Sequence, residues 1–99
     1  PKNTKPNHWL SVMTIDKDSK VKPLNIMETL EKENIDSSPV WKPMHLQPVF
    51  KEYDFITAKN DGTSVSEDLF NRGVCLPSDT KMTEEEQERV IDIIKKCFE

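Results

Sequence analysis

The side chains best suited to chemistry fall within one short run. Trp41, Lys42, His45 and Gln47 lie between Ser37 and Phe50, interleaved with Pro39, Pro43 and Pro48. Each proline fixes its own φ, lacks an N–H donor and turns the preceding residue away from the α region. The run is therefore expected to be extended and stiff, a rail that displays its polar side chains in a fixed order. Lys42, held between Trp41 and Pro43, is placed to pair with an anionic ligand such as a phosphate or carboxylate; the alternative is a solvated loop lysine. His45 has the chemistry of a general base, but no positioned partner is evident in the sequence, and a structural hydrogen bond is the plainer role. Trp41 offers packing surface, a stacking platform, or both at a rim.

Little else in the chain competes for a chemical role. There is no glycine-rich phosphate loop, no G-x-S-x-G and no H-E-x-x-H. Cys75 and Cys97 have no C-x-x-C spacing, and with His8 and His45 they form no zinc pattern. They read as two small apolar residues in a reducing compartment, with the cytoplasm as the default location. Glu84 to Glu86 look like an acidic metal cluster, yet helix capping accounts for them. Asp16-Lys17-Asp18 lacks the ligand series and glycine of a calcium loop. No metal site and no self-contained catalytic set is expected. The net charge of −4, with lysines interleaved among acids, argues against nucleic acid. No stretch approaches the roughly 20 apolar residues that span a bilayer, and no signal peptide is visible, so no membrane partner is expected.

The elements that must position the rail follow from periodicity. Trp9 to Ile15 reads as a strand, with Trp9, Met13 and Ile15 on one face and Leu10 and Val12 on the other. Apolar on both sides, it should be central or covered by a further domain. Pro23 suits a first helical position, and Leu24, Met27, Leu30 and Ile35, with Ile26 beside them, give a helical stripe ending near Asn34. Asp36 to Trp41 should be extended again. This β-α-β unit implies a crossover with its strands parallel or nearly neighbouring. Phe50, Tyr53 and Ile56 suggest one helical turn, and Lys59-Asn60-Asp61-Gly62 a reverse turn. Ser64 to Glu67 fits a capping box, opening a helix to Arg72 with Val65, Leu69 and Phe70 inward and Gly73 as its C-terminal cap. Val74 to Leu76 is a short strand stopped by Pro77. Thr83 to Glu86 caps a last helix whose Val90, Ile93, Ile94, Cys97 and Phe98 form a buried stripe. The order predicts a small α+β layer of about three strands, mixed or antiparallel, with three helices. With 34% apolar against 32% charged residues in 99 positions, the core is lean and the chain is one domain or a piece of one. Its start at Pro1, almost directly on a strand, suggests a fragment of something longer.

Asn7-His8-Trp9-Leu10, Pro23 to Ile35, Val40-Trp41-Lys42-Pro43-Met44-His45-Leu46-Gln47-Pro48 and Ser66 to Ser78 occur in the order and context of a known family. Over nearly its whole length the chain resembles the C-terminal region of the DegT–StrS family of pyridoxal-phosphate-dependent sugar aminotransferases of fold type I. The W-K-P-M-H-L-Q-P run is the specific part. The resemblance implies that residues 1–99 are a single small C-terminal domain, without the large domain that holds the cofactor on a lysine. It implies a full-length homodimer that moves an amino group from glutamate to a nucleotide-linked keto sugar in polysaccharide or glycan biosynthesis. These 99 residues alone would bind no cofactor and be inactive, and would help close the substrate cleft. By the same resemblance Lys42 contacts the sugar nucleotide, Trp41 forms the wall and His45 supports them. Ser38 stands where arginine is expected in many members, and His8 where other residues are common. The alternative is a free-standing small α+β interaction or regulatory module gripping a protein partner with the proline rail; the two-sided apolar strand weighs against it.

Overall fold

The computed structural model describes residues 1–59 and 61–99, so Asn60 of the expected reverse turn lies outside the described residues. Six elements follow in order: β1 (Ser11–Thr14), α1 (Pro23–Lys32), β2 (Ser38–Pro39), α2 (Val65–Arg72), β3 (Gly73–Leu76) and α3 (Glu84–Cys97). The expected α+β layer of three strands and three helices is present. Sheet order is β1-β3-β2, and both outer strands run antiparallel to β3. β1 and β2 are therefore parallel to each other, as their crossover requires, but the last strand of the chain is inserted between them. This explains why Val74-Cys75-Leu76 is apolar at every position: β3 is the central strand, with Val74 fully buried and Cys75 nearly so.

β1 is shorter and more peripheral than its sequence suggests. It is an edge strand, and Leu10 and Val12 stay exposed. Its start is set by local bonds. His8 takes a left-handed φ of 54°, the Asn7 side chain accepts from the Trp9 N–H, and the Ser11 N–H donates to the Ser78 hydroxyl instead of to a strand. At the other end Ile15 extends the ladder through its N–H to the Arg72 carbonyl, 2.9 Å.

The core lies between one face of the sheet and helices α1 and α3. It is made by Ile15, Ile26, Leu30, Val90, Ile93 and Ile94, with Met13, Val21, Ile35, Leu76 and Cys97 at its margin. In α1 the buried pair is Ile26 and Leu30, one helical turn apart. Leu24, expected in the stripe, is two positions from Ile26, hence on the opposite side, and is exposed. The helix stops as expected at Asn34, which adopts φ 60°. The Asn34 N–H reaches the Glu31 carbonyl and the Ile35 N–H the Leu30 carbonyl, at 3.0 and 2.9 Å. These are the two bonds of a Schellman ending, and Ile35 folds back onto the core beside Leu30. α3 carries its complete capping box between Thr83 and Glu86, acids in its first turn and Lys95 and Lys96 in its last. Phe98, expected in the buried stripe, is the capping residue beyond the last turn and is about half exposed.

α2 departs further. Val65 and Leu69 are exposed, and Phe70 is the residue of the expected inner set that is partly buried. What ties α2 down is polar. Arg72 grips Asp68 through Nε and one terminal nitrogen, at 2.9 and 2.8 Å, and its other terminal nitrogen donates to the Ile15 carbonyl at 3.0 Å. Gly73 ends the helix without a left-handed cap, at φ −95°. Its glycine identity has another cause: a Cβ there would collide with the Val40 side chain and the Leu69 carbonyl oxygen.

The rail is not extended throughout. After β2 it bends into two 3₁₀ turns, Met44–Leu46 and Pro48–Phe50. Pro43 and Pro48 sit at the starts of these turns, where a missing N–H costs nothing and a φ near that of Pro43, −55°, suits the turn. The helical turn expected after Phe50 reduces to the bond from the Tyr53 N–H to the Phe50 carbonyl, 3.1 Å. Among the described residues no helix is long and apolar enough to cross a membrane.

Two outcomes follow. Gly73→Ala forces backbone or Val40 to move and lowers stability by about 1–3 kcal/mol, read by urea denaturation. Asp68 has its carboxyl held below the ordinary range, chiefly by the Arg72 hydrogen bond. A lowered folded-state pKa stabilises fully above the unfolded value, near about 3.9, and the gain is lost as pH falls through the folded value. Asp68→Asn is thus less stable than the parent near neutral pH, and the two melting temperatures converge in acid below about pH 3.9.

Candidate functional site

The two 3₁₀ turns fold the rail into one side of an open cleft of about 770 Å³. Trp41 to His45, Gln47, Phe50, Tyr53, Asp54 and Phe55 line it, and Ser66 in the first turn of α2 completes it. The three residues singled out from sequence, Trp41, Lys42 and His45, thus share one concavity. The bend is held from within. Pro43 is buried, and the Gln47 side-chain amide donates to the Lys42 carbonyl at 3.2 Å. Gln47 is therefore a brace, and the Lys42 ammonium is left without an ion pair or hydrogen bond among the described residues. It is the single cation in a lining that is otherwise aromatic, apolar or neutral, apart from Asp54. Such a surface fits a ligand with an anionic group and an apolar or ring-shaped body.

Trp41 does more than line the cleft. Its ring meets Trp9 edge to face, with centroids 5.3 Å apart and planes at 71°. Trp9 precedes one edge strand and Trp41 follows the other, so the pair joins the two margins of the sheet. Both rings remain more than half exposed.

His45 is the most constrained of the three. Its ring lies flat on Phe55, centroids 3.6 Å apart and planes 13° from parallel. Its Nε2 lies 3.3 Å from a carboxylate oxygen of Glu67, with only 16% of the imidazole exposed. The approach is off the hydrogen-bonding direction, which leaves Nε2 buried without a hydrogen bond. The partner absent from the sequence reading is therefore Glu67, which that reading assigned to a capping box. Only half of the box forms: the Ser64 hydroxyl accepts from the Glu67 N–H at 3.2 Å, while the carboxylate turns to His45. Phe55 was equally hidden, since nothing in the spacing of Phe50, Tyr53 and Phe55 brings one of them back across His45.

Other candidates fall away from the cleft. Ser38 is exposed in β2, opposite Cys75, and does not line it. His8 sits in the lead-in at its left-handed φ. Cys75 is buried and unbonded to Cys97. Among the described residues no group of His, Cys, Asp and Glu could hold a metal ion.

A double-mutant cycle with His45→Ala and Phe55→Ala, followed by urea denaturation, should give a coupling of about 0.5–1.5 kcal/mol. Additivity within about 0.3 kcal/mol would show that the stack holds nothing.

Over 92 residues, 93% of its length, the chain is 46% identical to EpsN of Bacillus subtilis (strain 168), described as a pyridoxal phosphate-dependent aminotransferase, and spans 23% of that protein. It is 25% identical over 92 residues to the GDP-perosamine synthase of Vibrio cholerae, again 93% of this chain, and spans 24% of it. The crystal structure of a DegT DnrJ EryC1 StrS aminotransferase from Brucella abortus matches with a TM-score of 0.73 at 26% identity, over 90% of this chain and 22% of that one. The chain thus spans under a quarter of the length of these relatives, and its layer of three strands and three helices is a part of the fold type I aminotransferase architecture. Residues 1–95, the rail and the cleft included, match the DegT/DnrJ/EryC1/StrS aminotransferase family, and the chain belongs to it.

Proposed function

We propose that this chain is the small C-terminal domain of a pyridoxal-phosphate-dependent aminotransferase that moves an amino group from glutamate to a nucleotide-linked keto sugar. Family membership over residues 1–95 carries the reading. The cleft supports it: a lone ammonium, Lys42, beside apolar and aromatic walls suits a diphosphate with a sugar or base attached. In this reading Lys42 meets the phosphates or sugar hydroxyls, Trp41 forms the wall, and His45 sits behind them against Phe55 and Glu67. The product serves polysaccharide or glycan biosynthesis, the full-length enzyme is a homodimer, and it works in the cytoplasm.

On this reading the cofactor is held by another part of the polypeptide. A Schiff-base lysine needs a sheltered ammonium with a lowered pKa, and every described lysine here is exposed. The cleft offers one carboxylate, Asp54, and no buried donor set for a cofactor phosphate. On this reading the chain's contribution is to bind and orient the acceptor and to help close the cleft from one side.

In the full-length enzyme, Lys42→Ala should raise KM for the nucleotide-linked sugar about tenfold, the usual cost of one charge-assisted hydrogen bond, and leave KM for glutamate nearly unchanged. The holoenzyme should also show the visible absorbance of bound pyridoxal phosphate. Unaltered sugar-nucleotide kinetics would remove Lys42 from the site, and a full-length protein that binds no pyridoxal phosphate would defeat the aminotransferase reading itself.

A further inference from the structure

Buried polar atoms without a hydrogen bond are rare, and each calls for a cause. Here the atom is Nε2 of His45, and what faces it at 3.3 Å is an oxygen of Glu67. Glu67 is at the third position of α2, where its carboxylate would ordinarily return to the Ser64 N–H and complete the capping box. It does not, although the Ser64 half of the box is made. The Thr83–Glu86 box of α3 shows both halves formed in the same chain. Glu67 thus forgoes a local bond and sets its carboxylate against His45 instead. An ionised carboxylate only accepts, so the imidazole nitrogen turned towards it is the one that carries the proton. Phe55, flat against the ring, prevents it from tilting away. Nδ1 is then the remaining nitrogen: it has no hydrogen bond among the described residues and is not enclosed as Nε2 is, and His45 lines the cleft. Off-line contacts of this kind commonly tighten when a ligand is bound.

We propose that Glu67 is a positioning residue that fixes His45 with Nε2–H inward, so that Nδ1 is presented to the cleft as an acceptor for a hydroxyl group of the bound sugar. The assignment of the ligand rests on the function proposed above; the orientation of the ring does not. The pair acts as a donor–acceptor relay: the carboxylate orients the Nε2 proton and so leaves Nδ1 as the acceptor for the ligand, as outer partners fix the orientation of ligating histidines. Lys42 and His45 would then read different groups of one molecule, the anion and a hydroxyl.

The test uses full-length holoenzyme labelled with ¹⁵N at histidine, with the His45 signals assigned by their loss in His45→Gln. Two-bond ¹H–¹⁵N correlations, recorded near pH 8, above the ordinary histidine range of about 6.5, distinguish the two tautomers. The parent should show one tautomer, protonated at Nε2. Glu67→Gln keeps an acceptor oxygen and should preserve it, whereas Glu67→Leu should give a mixture. In turnover, Glu67→Leu should raise KM for the nucleotide-linked sugar about tenfold with kcat within about twofold, and Glu67→Gln should stay near the parent. A parent ring protonated at Nδ1, or a tautomer indifferent to Glu67→Leu, overturns the positioning role. The parent spectrum alone decides this point if Glu67→Leu fails to fold. A mixed tautomer with unchanged KM overturns the hydroxyl contact. An enzyme that turns over no nucleotide-linked keto sugar defeats the functional reading, and the tautomer pattern still decides the place of Glu67.

Discussion

At Gly73 there is no room for a side chain, and much of the architecture depends on that fact. The last turn of α2, the strand that follows it and the start of the rail converge on this position: the Leu69 carbonyl and the Val40 side chain occupy the space where a Cβ would project. Because the helix can pass directly into β3 with no intervening loop, Arg72 stays close enough to bond the Ile15 carbonyl. β3 then enters between β1 and β2 at a depth that buries Val74 and Cys75. The same close approach brings Val40, and hence the segment Trp41 to Gln47, over α2. Without it Glu67 would have no histidine to face. Close backbone approach is a standard reason for glycine, and here it is the reason, since the backbone angles at Gly73 are open to any residue.

The cleft is built on unequal supports. Its rail side is braced by Pro43, by the Gln47 amide on the Lys42 carbonyl and by the His45–Phe55–Glu67 contact. The segment Tyr53 to Phe55 is tied by one turn bond, by the Phe50–Tyr53 ring contact and by the stack with His45. A single imidazole therefore joins the rail to the segment that follows it. This arrangement places a charge, a ring and an acceptor on residues whose backbone positions are coupled, which is the condition for recognising a ligand at several points at once.

Legibility from sequence followed the range of the interaction. α3 was readable because its capping box, dipole complement and apolar period all act within a few residues. The Asn34 ending of α1 was readable for the same reason. The family resemblance rested on the W-K-P-M-H-L-Q-P run, and Trp41, Lys42 and His45 from that run line one cleft. What sequence could not supply were contacts between distant positions. The insertion of β3 made an edge of the strand whose two apolar faces suggest a central place or a further domain over it. Two prolines that implied extension instead opened 3₁₀ turns, since their φ serves both conformations. Val65 and Leu69 looked inward because a helical period has no knowledge of which neighbours exist; α2 is held instead by Arg72, which donates to the Ile15 carbonyl. Glu67 matched a local motif so well that its longer reach to His45 was concealed.

The edge-to-face contact of Trp9 and Trp41 has an optical consequence. These are both of the tryptophans in the chain, and at a centroid separation of 5.3 Å and a plane angle of 71° their transition dipoles are strongly coupled and not parallel. Two indoles so arranged give a split circular-dichroism band in the ultraviolet that neither gives alone. The band arises only while the segment before β1 and the segment after β2 are brought together, so the chain carries a built-in spectroscopic marker for the closure of its sheet margins, one that requires no attached dye.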